Sequence, residues 1–491
     1  FTTADGLTVS GNATVSGTTA LTGNATAAGN LNVTGNIDVD GTTDLDGLTV
    51  AGNVSIDGGT IKLDGNYPTG TANVALGNAT LDSLTDGGYN TAIGTVALTA
   101  NTSGVANTGV GYGALDANTT ANYNVAIGYD AIGVNTTGTA LVGIGAFALD
   151  ANTTASYNTA VGYAALSANT TGAHNTGMGY AALFANTTAS NCVAIGYQAL
   201  TANTTGQQNT AVGQNAADAI TTGGINTALG THALGQTTTG NYNVAIGSDA
   251  LTSNTTASNN TAVGYRALGV NTTGDRHVAV GDSALQSNTT GSDNIAVGPS
   301  CMASNTTGNS NTAVGRRALD ANTTGGANTA LGHDALGANT TAADNTSVGY
   351  NSLVANTTGA SNTAVGSGAL NANTTASENV AVGRIAMQYN TTGDRNTAVG
   401  HSSLNANTTG VNNTAIGWKS LRVNTTGQHN TALGYIALYD NTTGSNNTSV
   451  GFQSLENNTT ASDNTATGYR ALYANTTGER NAAIGAYSMK I

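Results

Sequence analysis

Large side chains are scarce in this 491-residue chain, which has four Phe, one Trp and only 5% aromatic residues. A conventional globular core of that length is built from such residues in quantity, so whatever is buried here is mostly Ala, Val, Ile and Leu. Charge is equally thin: 8% of residues are charged, and 12 Lys plus Arg stand against 26 Asp plus Glu, a formal balance of −14. That balance excludes nucleic-acid binding, which needs clustered cations. No run of about twenty apolar residues could span a bilayer. Phe1-Thr2-Thr3 is neither an initiator methionine nor a signal peptide, so the chain reads as a processed or partial product. Two cysteines, Cys192 and Cys301, say little about the redox compartment.

Glycine, by contrast, contributes 67 residues, and its spacing carries the first positive information. The segments NTAVGYAALSANTTGAH from Asn158 and NTGMGYAALFANTTASN from Asn175 set a period of 17. With the glycine of the AVG element as position zero, the register runs from Gly77 through Gly162, Gly179, Gly196, Gly213 and Gly264 to Gly485 in 25 copies, without insertion or deletion. Separate domains would tolerate changes in loop length, whereas stacked coils must keep one perimeter. The low charge and the recurrence of Val, Ile and Thr at fixed positions also argue against disorder. The chain is therefore expected to be all-β, a solenoid of 25 coils over residues 67–491, preceded by a different repeat over residues 1–66.

Two columns are apolar throughout the repeat. The residue before the glycine is Val161, Met178, Ile195 or Val212, with Thr467 the exception, and four residues after it stands Leu166, Leu183 or Leu200. Both are expected to be core. Position −2 is always Ala, Gly or Ser, and position zero is always Gly. In an extended strand these two share a face, which must lie close to the chain's own opposite wall or to a neighbouring chain. Three copies packed around an axis would use it, and a homotrimer is the leading expectation over a single-chain solenoid. Val at Gly264 is then expected to disrupt assembly.

Seven residues after the glycine the chain carries Asn-Thr-Thr, as at Asn118, Asn152, Asn169, Asn186 and Asn203, interrupted at Ile220 and Thr237. Another Asn column precedes the strand, broken by Leu141, Cys192 and His277. Asn suits turns, and amides stacked coil on coil can bond to one another as ladders. Asn-Thr-Thr is also an N-glycan acceptor; a sequon with the fold's own period is first a feature of the fold.

Residues 1 to about 66 place glycine every six residues from Gly11 to Gly47, after short alternating runs such as Leu7, Val9 and Leu31, Val33. A six-residue strand and turn cannot bury its face alone. Three chains winding together, or one chain coiling with three units per turn, would bury it. Asp38, Asp40, Asp44 and Asp46 form an acidic face without the loop pattern of a calcium site.

Catalysis needs a constellation, and none is found. The six His fall in different columns without metal-ligand spacing, and no phosphate loop or nucleophile elbow occurs. No catalytic residue, cofactor or metal site is assigned, and the chain is not expected to be an enzyme. Cys192 and Cys301 lie about six coils apart, too far to pair within one chain. One column looks functional by position: the residue after the glycine is aromatic at Tyr163, Tyr180, Tyr197, Trp418 and elsewhere. Such a stripe is a candidate for stacking sugars, or covers the coil edge.

The unit NTAVGYxALxANTTG resembles repeats of tail-fibre-like proteins of marine bacteriophages, and its N-[ST]-x-[AV]-[IV]-G strand is similar to the head repeat of trimeric autotransporter adhesins. The hexad segment is similar to the triple β-helical shafts of phage fibres. Adhesin heads use a 14-residue coil, three residues shorter than this one. The resemblance implies a homotrimer attached to a cell surface and often a cleaved C-terminal chaperone; no such domain follows Lys490-Ile491. The expected function is a structural attachment fibre on a virion or outside the cell, most simply a phage tail fibre or adhesin shaft that displays a receptor-binding region, with itself and cell-surface carbohydrate as partners. The alternative is a purely structural extracellular filament of a microbe, N-glycosylated on the Asn-Thr-Thr turns. Open strand edges at the ends of such a stack further lead to the expectation that the chain alone trimerises poorly or forms filaments.

Overall fold

The computed structural model describes residues 70–489 and, before them, the short strands β1 (Leu7–Val9), β2 (Ala13–Val15), β3 (Ala25–Ala27) and β4 (Leu31–Val33). The chain divides into two units, Phe1–Leu63 and Asp64–Ile491. In the first, β1 pairs with β3 in parallel, Leu7 opposite Ala25, and β2 with β4, Ala13 opposite Leu31. Both registers are 18 residues, or three hexads, so one chain coiling with three units per turn accounts for these pairs. The acidic face at Asp38 to Asp46 lies outside the described residues.

The second unit is a parallel β-solenoid. Its 25 strands, β5 (Val74–Leu76) to β29 (Ala482–Ile484), are three residues each and pair in sequence order, always 17 residues apart, as in Thr159 opposite Thr176 and Val161 opposite Met178. No helix occurs among the described residues. At about 4.8 Å per strand the stack rises roughly 115 Å. Pairing extends beyond the strands: Leu166 N–H donates to Ala182 O at 2.9 Å and Ala168 N–H to Phe184 O at 3.0 Å, while Gly162 N–H donates the other way to Ile144 O at 2.7 Å. Each coil is thus hydrogen-bonded to both neighbours around most of its perimeter.

The interior differs from the expectation at one column. Leu166 and Leu200 are fully buried, but Val161 is only half-buried and Ile195 is 38% exposed. The small residues at −2, Ala160 and Ala194, are the ones facing inward, with Ala165 and Ala199 beside them. The coil is too narrow for two large side chains. A methyl built on Gly177, at the −2 position, would lie 3.3 Å from Cγ of Leu166 in the preceding coil; leucine fills the lumen, and the wall opposite must be Ala, Gly or Ser. The small column therefore contacts the chain's own interior, and the argument for a trimer from that column falls away.

The path of the turn imposes unusual backbone. Three positions per coil beyond the zero glycine are left-handed, exemplified by Ala164 (φ 53°), Leu166 (φ 53°) and His174 (φ 59°), and glycine takes the first of them at Gly113 and Gly368. Such a conformation costs about 1–2 kcal/mol per residue, offset here by the bonds to adjacent coils. At position zero only glycine fits. Gly264 has φ +134°, and a Cβ there would sit 2.6 Å from the carbonyl carbon of Gly281. Gly162, Gly179, Gly196 and Gly213 repeat this geometry.

Candidate functional site

Asn118, Asn152, Asn169, Asn186 and Asn203 all lie in one buried column. Each amide donates to its neighbour and to a carbonyl of its own turn: Asn169 Nδ2 reaches Asn152 Oδ1 and Gly172 O, both at 3.0 Å, and Asn186 Nδ2 reaches Asn169 Oδ1 at 2.7 Å. The column before the strand forms a second ladder through the backbone. Asn175 N–H donates to Asn158 Oδ1 at 2.8 Å, and Asn175 Nδ2 to Ala189 O at 2.8 Å. These amides are committed to holding coils together, and both hydrogens of Asn169 Nδ2 are in use.

The interruptions of the second ladder keep its chemistry where they can. Cys192 Sγ–H takes the place of an amide and donates to Gly206 O at 3.3 Å. His277 accepts the Asn294 N–H through Nδ1 at 3.2 Å. In the first ladder Ile220 cannot donate, and Asn203 Oδ1 is buried without a partner. Both cysteines are buried free thiols.

The outside carries the variable chemistry. Tyr163, Tyr180 and Tyr197 are about half-exposed and stack with centroids 5.4 and 5.3 Å apart, within 10° of parallel. With Tyr112, Tyr129 and Phe147 they make a run of six adjoining rings. A second run passes from His401 through Trp418, Tyr435, Phe452 and Tyr469 to Tyr487, with Trp418 and Tyr435 at 4.8 Å. Lys419 Nζ lies 4.0 Å from the Trp418 ring centre. Because parallel neighbours cover one another's faces, these stacks offer solvent mainly ring edges and phenol hydroxyls. Face-on stacking of a sugar is open chiefly at the ends of a run.

Charged groups are scattered across the exposed columns. Arg276 pairs with Asp293 in the next coil at 2.6 Å, and Arg317 lies beside Asp320 and Asp334 in a shallow recess. Burial pushes the carboxyls of Asp116, Asp150, Asp218, Asp440 and Glu456 up from their usual range. Among the described residues no three His, Cys, Asp or Glu side chains group to hold a metal ion, and no helix is long and apolar enough to cross a membrane.

Two surface features escaped the sequence reading. The strand's outward face, positions −3 and −1, carries Thr, Val, Ile, Leu and Met with a final Ala482, and no charged residue in any of the 25 strands. The second threonine of Asn-Thr-Thr, nine residues after the glycine, is exposed from Thr120 to Thr477 in 22 successive coils. Aligning the coils against one another reveals both. Neither a protein-family model nor a curated protein matches the chain.

Proposed function

We propose that this chain is the shaft of an attachment fibre, a phage tail fibre or surface adhesin, which holds a receptor-binding region away from its virion or cell. The observation that carries this reading is the unbroken register of 25 strands paired at 17 residues. Length built from identical, mutually bonded coils is a device for reach. The interior is spent on Ala, Leu and Asn, which leaves only the outside free for recognition. The reading is non-catalytic.

In this proposal the fibre works as three copies joined along the uncharged strand face, a surface of β-branched side chains suited to lie against its own kind. The exposed edges and ends of the two aromatic runs are the candidate contacts for cell-surface carbohydrate. The competing reading, a microbial matrix filament glycosylated on its Asn-Thr-Thr turns, is less well supported, since a glycan at Asn169 would replace an amide hydrogen that bonds Asn152 or Gly172.

Immunogold labelling with antibody against the 17-residue coil tests the proposal. Label on virion fibres or cell-surface appendages is expected. Label dispersed through extracellular matrix favours the filament, and label confined to the cell interior ends both readings.

A further inference from the structure

The exposed threonine column is unexplained by the fold. Position zero is glycine because the next coil's backbone leaves no room, and the Leu and Asn columns are buried. The first threonine of the turn is also accounted for, since its hydroxyl donates to the next coil, as Thr170 Oγ1 does to Thr187 O at 3.0 Å. The second threonine has no such duty. From Thr120 through Thr171, Thr188 and Thr205 to Thr477 it is exposed, and its hydroxyl makes no hydrogen bond among the described residues. Other exposed columns drift freely: twelve residues after the glycine the chain accepts Tyr157, His174, Arg276, Glu378 and Ala327.

Three ordinary reasons for an invariant threonine fail. A preference for β-branched backbone would admit Val and Ile, as position −3 does at Val193, Val244 and Ile295, yet neither occurs in this column. A need for any hydroxyl would admit serine, which appears only once, at Ser103. A need for a glycan acceptor would lapse where the asparagine is lost, but Ile220-Thr221-Thr222 and Thr237-Thr238-Thr239 keep the threonine. The methyl and the hydroxyl are both retained in 22 successive coils from Thr120 to Thr477, facing water, after Asp86 and Ser103 in the first two.

A ligand that occupied one place would hold only a few coils constant, so the partner must repeat along the stack. Three kinds of partner do that: another copy of the chain, a linear polysaccharide, or a crystal; the corner offers a sugar chain a single aromatic ring to stack on, Tyr389. Interfaces between proteins draw their energy from aromatic, Met and Arg side chains, with Thr under-represented among the residues that matter. The corner around these threonines has none of the first kind in quantity. From six to ten residues after the glycine it is mostly Ala, Asn, Thr, Thr and Gly or Ala, with Asp86 in the first coil and Asp440 its two charged residues. An uncharged rail of methyls and hydroxyls, fixed by ladders behind it and repeating at about 4.8 Å, can order water in rows: hydroxyls join the lattice and methyls sit in its gaps. We propose that this threonine corner binds the surface of ice. This inference is independent of the attachment reading and does not need it.

The test uses the full chain. Purified protein is mixed with slowly growing ice, the ice and liquid fractions are assayed, and recrystallisation of fine-grained ice is followed by microscopy. The wild-type chain is expected to concentrate in the ice and to slow grain growth. Replacing five adjacent threonines, Thr171, Thr188, Thr205, Thr222 and Thr239, by Lys should abolish both effects with far-ultraviolet circular dichroism unchanged. If that variant does not fold, the Thr→Ser set keeps the hydroxyls, removes the methyls and should lose most of the effect. A control set in a different exposed column, Tyr157→Lys with His174→Lys, should retain it. Exclusion of the wild-type chain from ice overturns the proposal. So does full activity in either threonine set, a change of oligomeric state on substitution, or glycans found on these threonines by mass spectrometry.

Discussion

Nδ1 of His277 accepts the backbone N–H of Asn294 at 3.2 Å, the bond an asparagine Oδ1 makes at the equivalent place in other coils. The opposite ring nitrogen, Nε2, lies 3.2 Å from the side-chain nitrogen of Asn288, whose own hydrogens go to Asn271 Oδ1 and Gly291 O. The imidazole thus reproduces the acceptor half of the amide, which requires Nδ1 to be unprotonated. Burial holds its pKa below the ordinary 6.5, although Asp275 and Asp293 pull the other way. A proton on Nδ1 would remove the acceptor and bury a charge.

The consequence is a pH-dependent weak point. The unfolded imidazole titrates near 6.5 and the folded one lower, so the stability of this coil is complete above about 6.5 and declines as pH falls between the two values. The slope is at most about 1.4 kcal/mol per pH unit for one proton. Hydrogen exchange of the amides flanking His277 should accelerate between neutral and mildly acid pH. His277→Asn should flatten that dependence, and an unchanged profile in the variant would remove His277 as its source.

Gly264→Val should be among the most damaging single changes in the molecule. The added Cβ meets the backbone of Gly281, which cannot move aside as a side chain would, and φ is +134°. A cost of about 3 kcal/mol or more is expected, against about ±0.5 for Gln207→Val on the exposed surface. The contact lies within one chain, so the loss should appear in monomer folding as well as in assembly. Comparison of denaturant midpoints and soluble yield decides it; equal values for the two variants would contradict the close approach.

The thiol of Cys301 is buried and its pKa is pushed up to about 12, chiefly by burial. Cys192 is raised by the same cause. Only the thiolate attacks disulfide reagents, so neither cysteine should react in the native chain at mildly alkaline pH, and both should react once denaturant is added. Rapid labelling of Cys301 in the native state would show that the stack opens near that coil.

Much of this was legible in the sequence, and the exceptions have physical causes. The coil length, the parallel register, the Leu166 column and the ladder role of Asn169 follow from periodicity and residue chemistry. The orientation of the strand did not: alternation separates Ala160 from Val161, but the habit of putting the larger residue inside fails where a lumen holds one leucine per coil. Left-handed backbone at Leu166 was also invisible, since nothing in leucine advertises it. For Tyr180 the column was evident but not the direction of its ring, because that depends on Tyr163 and Tyr197 stacking above and below. The Thr171 column lay in plain view inside Asn-Thr-Thr and was read as part of a turn.

Asn186→Leu tests how much one rung of the ladder is worth. In the native chain Asn186 Nδ2 bonds Asn169 Oδ1 at 2.7 Å and Ala189 O at 3.2 Å, while its Oδ1 accepts from Asn203 at 3.3 Å. Leucine of similar size would leave Asn169 Oδ1 buried and unpaired. Ala189 O would keep the Asn175 amide at 2.8 Å, and Asn203 would keep Gly206 O at 3.0 Å. The stranded Asn169 Oδ1 and one unpaired Nδ2 hydrogen of Asn203 are therefore the net loss, at a cost of about 1–3 kcal/mol for each group left unsatisfied. The chain already carries the acceptor half of that defect once, since Ile220 leaves Asn203 Oδ1 unpaired, so the variant should fold, with faster hydrogen exchange at the amides of Leu183 and Leu200. Asn186→Ala should cost more, because it adds a cavity to the same orphans. Adding Asn169→Leu to Asn186→Leu removes the bond between the two residues from both sides and strands only Asn152 Oδ1 and an Asn203 hydrogen, fewer groups than the two single changes strand together, so the pair should cost less than their sum; strict additivity would mean that the ladder bonds do not couple adjacent coils.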